Sequence, residues 1–546
     1  MDSGGNKVRR VDGVVRKRAG NEWTLEVTSF TCGAAVMAVE MSGSRVIAPY
    51  LGTSIIAWTS LIGIILASLS LGNWLGGKAA DLRPDQKMLA RVVLLASISV
   101  TVMALLSNPI LTWVARNIYN IYLSSVVGTL LVFSVPSILL GMVSPFVVRL
   151  ALRDVGSSGA TVGRFSAISS AGSILGTFLG GFVLISILPV GSILLLVAAI
   201  LALVAFLLYR SVWIKAGVLC VAFLALAGGV SMWGLPMMPE GVHIDTPYNR
   251  IWIADRMPPN GRRERRLMTS AFREGAQSIM FTDNPSELVS EYTRFYDLAF
   301  HYNPTARNIL MLGGGGYCVP RHLLATRVDE EGLPTFRMDV VEIDPGITAA
   351  ARRYFYLRDS PALTIHHEDA RIFLNRAARN PEMLGSYDAI FVDVFGSWYS
   401  IPFHMATVEA AQRMSDLLAP DGVLISNVIS SISGSYSGVL HGIYAAMSQV
   451  FPNVLIFPAQ GPGPAFAEIR QNIMLVAFNS ANVPAFPPRD AETARLLSHA
   501  WTAPFTPQVR AFTDAFAPVE RYALRALRPR PTVSPQWSAT RSEDAE

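Results

Sequence analysis

Long apolar runs separated by short polar joints fill the first part of the chain. Each run is close to the roughly 20 apolar residues that cross the core of a bilayer. The pattern predicts a transmembrane domain over 23–235, preceded by a basic tail over 1–22. It contains about seven helices, over 24–43, 54–76, 89–110, 121–148, 165–187, 190–209 and 214–234.

Beyond residue 240 the hydrophobic pattern becomes that of a soluble protein. Apolar and polar residues alternate with a period of two over 243–283, which predicts a small antiparallel β unit at 240–285. Short apolar runs then alternate with helical stretches over 286–480, which is typical of a parallel, doubly wound, Rossmann-like sheet. Its five predicted strands lie within 308–316, 337–344, 362–374, 387–395 and 422–430. A C-terminal extension over 481–546 completes the chain, with a disordered tail expected after about residue 525.

Composition supports a membrane domain joined to a globular one. Apolar residues make up 51% of the chain and charged residues 16%, against roughly 25% charged residues in typical soluble proteins. The three cysteines have no spacing typical of metal ligands, so we expect neither a disulfide framework nor a metal site. The N-terminal tail lacks the aromatic residues that accompany basic ones in nucleic-acid-binding segments, so nucleic acid is not an expected partner.

The distribution of positive charge predicts the orientation in the membrane. Lysine and arginine residues collect in the tail and in alternate connections, near 78–87, 149–164 and 210–215. All of these would face the cytosol under the positive-inside rule. An odd number of spans leaves the soluble domain on the outer face, unless the span at 214–234 does not cross. The N-terminus is therefore expected in the cytosol, while the side that holds the soluble domain stays open.

Two polar or small-residue patterns stand out inside the predicted spans. Glu40 lies near the end of the first span, with Arg45 five residues on. A carboxylate there is costly unless it is paired or hydrated, so it marks either a polar substrate or proton site or a structural Glu–Arg pair. Gly172, Gly176 and Gly180 form a small-xxx-small row, which predicts a close helix–helix contact.

Glycine and acidic residues follow four successive predicted strands of the soluble domain. Gly313, Gly314 and Gly315 follow the first strand, and Glu342 ends the second. Glycine-loop amides suit a closely approaching polar group, and a carboxylate at the second strand suits ribose hydroxyls.

Two further acids follow the third and fourth strands. Asp369 follows the third and could accept a hydrogen bond from an adenine amino group. Asp393 follows the fourth and has no evident structural duty. A second interpretation makes Glu342, Asp344 and Asp369 no more than helix N-caps.

Several motifs resemble one known family. The segments LGGGG, VEIDP, HEDARIFL, YDAIFVDVF and LLAPDGVLISN are similar to the spermidine synthase (polyamine aminopropyltransferase) family, over about residues 243–480. The membrane half, with APYLGTS and the run of spans, resembles the bacterial branch of that family in which a multi-pass membrane domain precedes the synthase. This resemblance implies a protein of the bacterial inner membrane.

The resemblance implies roles at matching positions. The donor, S-adenosylmethionine or its decarboxylated form, would contact the glycine loop through its methionine-derived chain, Glu342 through its ribose, and Asp369 and Ala370 through its adenine. Asp393 would deprotonate the attacking amine. The resemblance also places Asn249 and Gln277 near the substrate tail, and we expect Gln277 to contact the donor and Asn249 the second substrate. From the residues themselves we add Tyr292 as a catalytic candidate, and Tyr248 and His404 as candidates for binding the second substrate.

Two departures from the family pattern leave the donor open. The soluble enzymes carry an aspartate where this chain has Gly316, and a second acid where it has Gly396. Both departures remove negative charge that would hold ammonium groups. Intact S-adenosylmethionine, which carries its own carboxylate, therefore becomes a more plausible donor than in the soluble enzymes.

Three functions remain open at this point. The first is aminopropyl transfer to an amine, with release of methylthioadenosine. The second is an S-adenosylmethionine-dependent methyltransferase or lyase/cyclase acting on a membrane-associated or exported substrate. The third is a transporter or nucleoside sensor, because the loop at 72–87 is similar to one in major-facilitator transporters. Expected partners are a small-molecule substrate and the lipid bilayer, with a homo-oligomer left open.

Overall fold

The computed structural model of the chain comprises a helical bundle followed by a soluble α/β part. It describes residues 11–525, apart from 53, 119, 153–157, 209–221, 223–224, 226–240, 260, 270–275 and 395–401. Side chains are described from residue 22 onward.

Seven helices form the described bundle. They are α1 (Val11–Leu51), α2 (Ile55–Leu82), α3 (Gln86–Asn117), α4 (Ile121–Gly141), α5 (Val143–Ala151), α6 (Ser158–Phe178) and α7 (Val190–Leu208). A π-helical turn (Leu179–Leu184) and a last turn (Ile185–Ile187) prolong α6. Because α1 begins at Val11, it extends into the predicted basic tail.

Five helical units within the described residues are long and apolar enough to cross a membrane. They are Ile55–Leu82, Gln86–Asn117, Ile121–Ala151, Ser158–Ile187 and Val190–Leu208. These units match five of the seven predicted spans. The first predicted span, 24–43, lies inside α1, which is not among the five. The last, 214–234, falls almost wholly outside the described residues, so a total of seven stays a prediction.

Small residues bring α1 and α6 into backbone contact. A Cβ added to Gly172 would lie 2.0 Å from the carbonyl oxygen of Phe30, and one added to Gly176 would lie 2.3 Å from that of Ala34. No side chain fits at either position without separating the helices. The predicted close helix–helix contact is therefore confirmed.

Arg45 faces the soluble part of the protein rather than Glu40. The two side chains are five residues apart on one helix, which places them about 140° apart around its axis. The charge of Arg45 instead acts on Asp344 and Asp245. The structural Glu–Arg pair considered from the sequence is therefore not formed, which leaves Arg45 turned toward the soluble domain.

The soluble part opens with a four-stranded antiparallel sheet, in the order of the chain. Its strands are β1 (Val242–Asp245), β2 (Arg250–Arg256), β3 (Glu264–Met268) and β4 (Ser278–Phe281). Isoleucine and leucine side chains on one face of this sheet pack into the core of the larger domain. The small β unit is thus a wall attached to the main sheet.

A seven-stranded mixed sheet forms the main domain. Its strands are β5 (Asn308–Leu312), β6 (Arg337–Val341), β7 (Leu363–His366), β8 (Tyr387–Val392), β9 (Leu418–Ser430), β10 (Asn453–Pro458) and β11 (Gln471–Phe478). The helices around it include α8 (Glu291–Arg294), α9 (Ala299–Tyr302), α10 (Cys318–Thr326), α11 (Pro345–Tyr354), α12 (Ala370–Ala377), α13 (Val408–Leu417), α14 (Gly438–Met447), α15 (Ala491–Leu497) and α16 (Val519–Arg525).

The strand order is β10-β11-β9-β8-β5-β6-β7. Strands β9, β8, β5, β6 and β7 run parallel, as the alternating pattern predicts. The two strands at the other edge, β10 and β11, depart from this pattern, because β11 pairs antiparallel with both β9 and β10. The connection between β10 and β11 has only a short 3₁₀ turn, which is no crossover helix of the kind that parallel strands need. The architecture is therefore Rossmann-like, with an antiparallel edge.

The soluble part docks on the end of the bundle where α1 stops and α2 begins. Asn108 near the end of α3 accepts hydrogen bonds from Tyr50 (3.0 Å) and from Arg250 of β2 (3.3 Å). The backbone N–H of Ile55 donates to Glu520 of α16 at 2.8 Å. Helix α2 starts at this end and is about 40 Å long, so the basic turn that follows it lies at the opposite end of the bundle.

Candidate functional site between the sheet and the helical bundle

A cavity of about 1200 Å³ lies at the carboxyl ends of the parallel strands. The main sheet forms its floor, and the small β unit and the docked end of the bundle form its walls. All the site residues predicted from the sequence line it. They are Tyr248, Asn249, Gln277, Tyr292, Gly313, Gly314, Gly315, Glu342, Asp369, Ala370, Asp393 and His404. The roles given to them individually stay predictions.

Sheet topology explains why these separate segments converge. The chain order reverses between the neighbouring strands β5 and β8, so the loops after them diverge to opposite faces. Such a reversal opens a crevice at the carboxyl ends of the strands, where doubly wound proteins bind their ligands. The loops that follow β5, β6, β7 and β8 carry the candidate groups to this crevice.

The glycine loop after β5 is tightly packed against the next candidate group. Gly313 has φ +92°, and a Cβ there would lie 2.3 Å from the carbonyl oxygen of Asp393. Gly315 also has a positive φ, of +49°. A side chain at Gly313 would suffer both backbone strain and a backbone clash. Glycine at this position therefore keeps β5 and β8 close together at the cavity floor.

Glu342 holds the glycine loop in place through hydrogen bonds to its backbone. Its buried carboxylate accepts hydrogen bonds from the backbone N–H groups of Gly314 (2.9 Å), Gly315 (3.1 Å) and Asp344 (3.0 Å). Burial raises the pKa of Glu342 above its ordinary value. The two carboxylate oxygens keep acceptor sites beyond these three bonds. Glu342 is thus a loop-ordering group that still faces the cavity.

Asp344, not Glu342, caps the helix after β6. Its carboxylate accepts from the N–H of Gly346 at 2.9 Å, at the start of α11. The same carboxylate accepts from the hydroxyl of Thr246 (2.6 Å) and the side-chain amide of Asn249 (3.0 Å). The N-cap interpretation is therefore confirmed for Asp344 and wrong for Glu342. Asn249 reaches the cavity with its amide directed at Asp344.

Asp369 both caps a helix and faces the cavity. It accepts hydrogen bonds from the backbone N–H groups of Arg371 (2.8 Å) and Ile372 (3.1 Å), so it is the N-cap of α12, although its place in the cavity lining leaves a second role as a prediction. Its other oxygen lies 3.4 Å from Nε2 of His404. The hydrogen bond from His404 lowers the pKa of Asp369. Ala370, the first residue of α12, lines the cavity beside this pair.

Asp393 is the centre of a hydrogen-bond network at the cavity floor. One carboxylate oxygen accepts from the side-chain amide of Asn427 at 2.9 Å, and the other from the hydroxyl of Tyr292 at 3.2 Å. Asn427 is held in turn by the amide of Asn472 at 2.9 Å. Because the network comes from α8, β8, β9 and β11, four elements fix the carboxylate in position.

The setting of Asp393 tunes its proton affinity toward neutral pH. Burial raises the pKa of Asp393 to about 6, although the hydrogen bonds from Asn427 and Tyr292 oppose the shift. Burial, with the nearby charge of Asp393, raises the pKa of Tyr292 well above its ordinary value. Tyr292 therefore stays neutral and donates a hydrogen bond, while Asp393 can take up a proton near neutral pH.

Sequence reasoning missed Asn427 and Asn472. Both line the cavity, and both lie in apolar strands at the end near Asp393. A signal was present, because Asn427 interrupts the buried run of β9 and a buried amide needs partners. Asp393 meets Asn427 because β8 and β9 are neighbours, whereas the contact with Asn472 depends on the antiparallel edge, which the sequence pattern did not predict.

The structure explains why residue 316 is a glycine. The N–H of Gly316 donates to Oγ of Ser278 at 2.7 Å, and a Cβ on Gly316 would lie 2.6 Å from Cβ of Ser278. The small β unit therefore packs too closely for any side chain here. Gln277, the neighbour of Ser278, donates its amide to Thr269 at 2.8 Å. The other departure, Gly396, lies outside the described residues.

Comparison with known proteins relates the chain to two kinds of transferase. It is 36% identical over 140 residues to the polyamine aminopropyltransferase of Vibrio vulnificus, covering 26% of this chain and 44% of that protein. It is 28% identical over 163 residues to the eEF1A lysine and N-terminal methyltransferase of Homo sapiens, covering 29% of this chain and 22% of that protein. The chain thus spans less than half the length of these relatives. It is homologous to polyamine aminopropyltransferases over about a quarter of its own length.

The chain was also compared with protein-family models and with solved structures. No family model matches the chain. Among solved structures, a probable spermidine synthase from Corynebacterium glutamicum is similar, with a TM-score of 0.40 and 21% identity. That similarity covers 51% of this chain and 97% of the other.

Proposed function

We propose that the protein is a membrane-bound transferase that takes a group from an adenosyl-sulfonium donor and passes it to an amine, as spermidine synthases do. The donor is S-adenosylmethionine or its decarboxylated form. With the decarboxylated donor the reaction is aminopropyl transfer, and it releases methylthioadenosine. Homology to an aminopropyltransferase and to a methyltransferase supports this class.

The observation that carries the proposal is the setting of Asp393. An amine is protonated at neutral pH and cannot attack until a base removes its proton. Asp393 has a pKa near 6, is held by Asn427 and Tyr292, and adjoins the glycine loop expected to receive the donor. In this proposal Asp393 accepts the proton of the amine, and Tyr292 keeps its carboxylate in position.

A second candidate function is methyl transfer or lysis with intact S-adenosylmethionine. It is favoured by the crowding at Gly316, where no carboxylate can be accommodated to hold the ammonium of an aminopropyl chain. Catalysis would then depend mainly on holding the sulfonium carbon near its acceptor.

Product analysis separates the two candidates. Purified full-length protein in detergent would be incubated with each donor and a diamine, and its products separated by chromatography. Methylthioadenosine that appears together with an aminopropylated amine supports aminopropyl transfer. Methylthioadenosine without that amine indicates lysis, and S-adenosylhomocysteine indicates methyl transfer.

Asp393→Asn, with Asp421→Asn as a matched control at an exposed site, tests the base. We expect turnover to fall about 10²- to 10⁴-fold in the first variant and not in the second. Full turnover in Asp393→Asn would remove this residue from the mechanism. Release of no product from either donor would refute the transferase proposal.

We also propose that the protein belongs to the membrane-fused bacterial branch of the spermidine synthase family and lies in the inner membrane. Docking of the soluble part on the bundle end opposite the basic turn near Arg83 supports an outer-face position for it. The donor would then have to be supplied on that face. The single-cysteine variants Arg83→Cys and Tyr356→Cys, each in a background without native cysteines, test this topology. An impermeant thiol reagent added to intact cells should label only position 356, and labelling of position 83 instead would reverse the orientation.

A further inference from the structure

The wall of the cavity that comes from the helical bundle has no evident use in binding a nucleoside. Ala48, Ala115, Ile185, Leu188 and Val190 give this wall an apolar surface. The cavity volume of about 1200 Å³ exceeds the ~300–1000 Å³ typical of small-molecule sites. The cavity therefore has room for a second substrate that is partly apolar.

Two arginines of the bundle line the same cavity. Arg45 of α1 is half-buried, and Arg116 at the end of α3 is exposed. The carboxylates that Arg45 faces are already engaged, because Asp344 binds Thr246 and Asn249, while Arg250 pairs with Asp245 at 2.7 Å.

Arg45 itself keeps its hydrogen-bonding capacity. Within the part of the chain that the structure describes, it makes neither a hydrogen bond nor a close ion pair. A half-buried guanidinium without close partners is costly. Such a group suits an anionic ligand, with which it can form paired hydrogen bonds.

Exposed aromatic residues cluster around helix ends on the docked side of the bundle. Trp58, Trp113 and Tyr122 lie within a turn or so of helix ends on the docked side and are 37%, 57% and 60% exposed. Exposed tryptophan and tyrosine collect at the headgroup region of membranes. In the proposed membrane position, the rim of the cavity therefore lies at the depth of the lipid headgroups.

We propose that the second substrate is a membrane lipid whose headgroup carries a primary amine and a phosphate. The phosphate binds Arg45, with Arg116 at the rim, and the amine reaches Asp393 at the floor. The acyl chains leave along the apolar wall toward the bilayer. This inference rests on the proposed transferase function and names its acceptor.

The transfer step balances without a further reactant. Asp393 takes a proton from the ammonium group, which frees the lone pair of the nitrogen. The nitrogen attacks a carbon bound to the sulfonium sulfur, so a C–N bond forms as the C–S bond breaks. The electron pair of the broken bond stays on sulfur, which becomes a neutral thioether. The products are an alkylated headgroup, a protonated Asp393 and a neutral nucleoside thioether.

Reconstitution of the full chain in vesicles tests the acceptor directly. One set of vesicles contains phosphatidylglycerol alone, a second contains phosphatidylglycerol with phosphatidylethanolamine, and a third contains phosphatidylglycerol with putrescine in solution. Donor labelled on the transferred carbon is added to each. We expect label in the lipid fraction of the second set, at a rate at least tenfold above transfer to putrescine.

Substitution of Arg45 tests the phosphate contact. Arg45→Ala should raise the phosphatidylethanolamine content needed for half-maximal rate about tenfold or more, while leaving the donor affinity unchanged by calorimetry. Arg45→Lys should restore part of the loss, because it restores the charge. Arg83→Ala, at the opposite end of the bundle, is the control and should behave as the wild type.

The outcomes separate this inference from the function on which it rests. Faster transfer to putrescine than to lipid overturns the lipid acceptor and leaves the transferase function standing. No transfer in any vesicle set, with either donor, overturns both. Wild-type lipid dependence in Arg45→Ala overturns the binding role of that residue, and the vesicle comparison needs no variant that could fail to fold.

Discussion

The surroundings of Asp393 predict how the reaction rate depends on pH. They also predict how that dependence changes when the hydroxyl of Tyr292 is removed. If the ionised carboxylate is the base, kcat/KM should fall as the pH drops through about 6. At pH 7 about nine-tenths of the molecules carry the charged form, and at pH 5 about one-tenth do, so the rate should fall about tenfold between them. Above about pH 7 the rate should no longer rise with pH, so the acid limb of the pH–rate profile ends there.

Tyr292→Phe removes a hydrogen bond that stabilises the charged form of Asp393. Hydrogen bonds to charged groups contribute roughly 1.5–3 kcal/mol, or about one to two units of pKa. The oxygen–oxygen distance of 3.2 Å is long for such a bond, so the lower value applies. The pKa of Asp393 should therefore rise toward about 7, and the acid limb should move up by about one unit.

The assay is the rate of donor consumption by detergent-solubilised protein between pH 5 and 9. At pH 8 the phenylalanine variant should retain most of its activity, whereas at pH 5 it should be about tenfold slower than the wild type. Asp393→Asn should stay about 10²- to 10⁴-fold slower than the wild type at pH 8, and its rate should show no fall near pH 6. An acid limb that stays in place in Tyr292→Phe, or a wild-type rate that is flat between pH 5 and 7, would refute the reasoning.

Two further predictions concern glycines that no other residue can replace. Gly313→Ala creates a backbone clash at 2.3 Å as well as backbone strain, so it should weaken donor binding at least tenfold and lower the melting temperature by several degrees. The control is Gly261→Ala, at a φ of +74° in open space, which should bring only the strain. Equal effects of the two variants, measured by calorimetry and thermal unfolding, would contradict the role of the clash. Gly176→Ala should destabilise the bundle in detergent by separating α6 from α1. Gly163→Ala is the control on the same helix, because a Cβ there meets no neighbour, and it should melt as the wild type does.

The sequence pattern predicted the parts of the fold that depend on local periodicity. Apolar runs of bilayer length correspond to long helices, and the parallel strands β5 to β9 fall on the predicted segments. The glycine and acidic groups could be predicted to converge because the carboxyl ends of parallel strands share one edge. These inferences need only a period and a topology rule.

What the pattern did not predict depends on contacts distant in sequence. The amide chain from Asn472 through Asn427 to Asp393 requires the antiparallel edge, whose strands look in sequence like any buried strand. The position of Arg45 requires the docking of the bundle on the sheet. Neither the amide chain nor the position of Arg45 can be predicted from hydrophobic spacing. Such spacing depends on neighbouring residues and does not indicate which surfaces of two domains come into contact.

Calorimetric titration of the full-length protein with S-adenosylmethionine and with its decarboxylated form tests the central claim most directly. The cavity should bind at least one of these nucleosides in a one-to-one complex. Glu342→Gln should weaken that binding at least tenfold, because a neutral amide accepts ribose and loop hydrogen bonds less well than a carboxylate. Absence of binding by both nucleosides, or wild-type affinity in Glu342→Gln, would contradict an adenosine-binding site at this edge of the sheet.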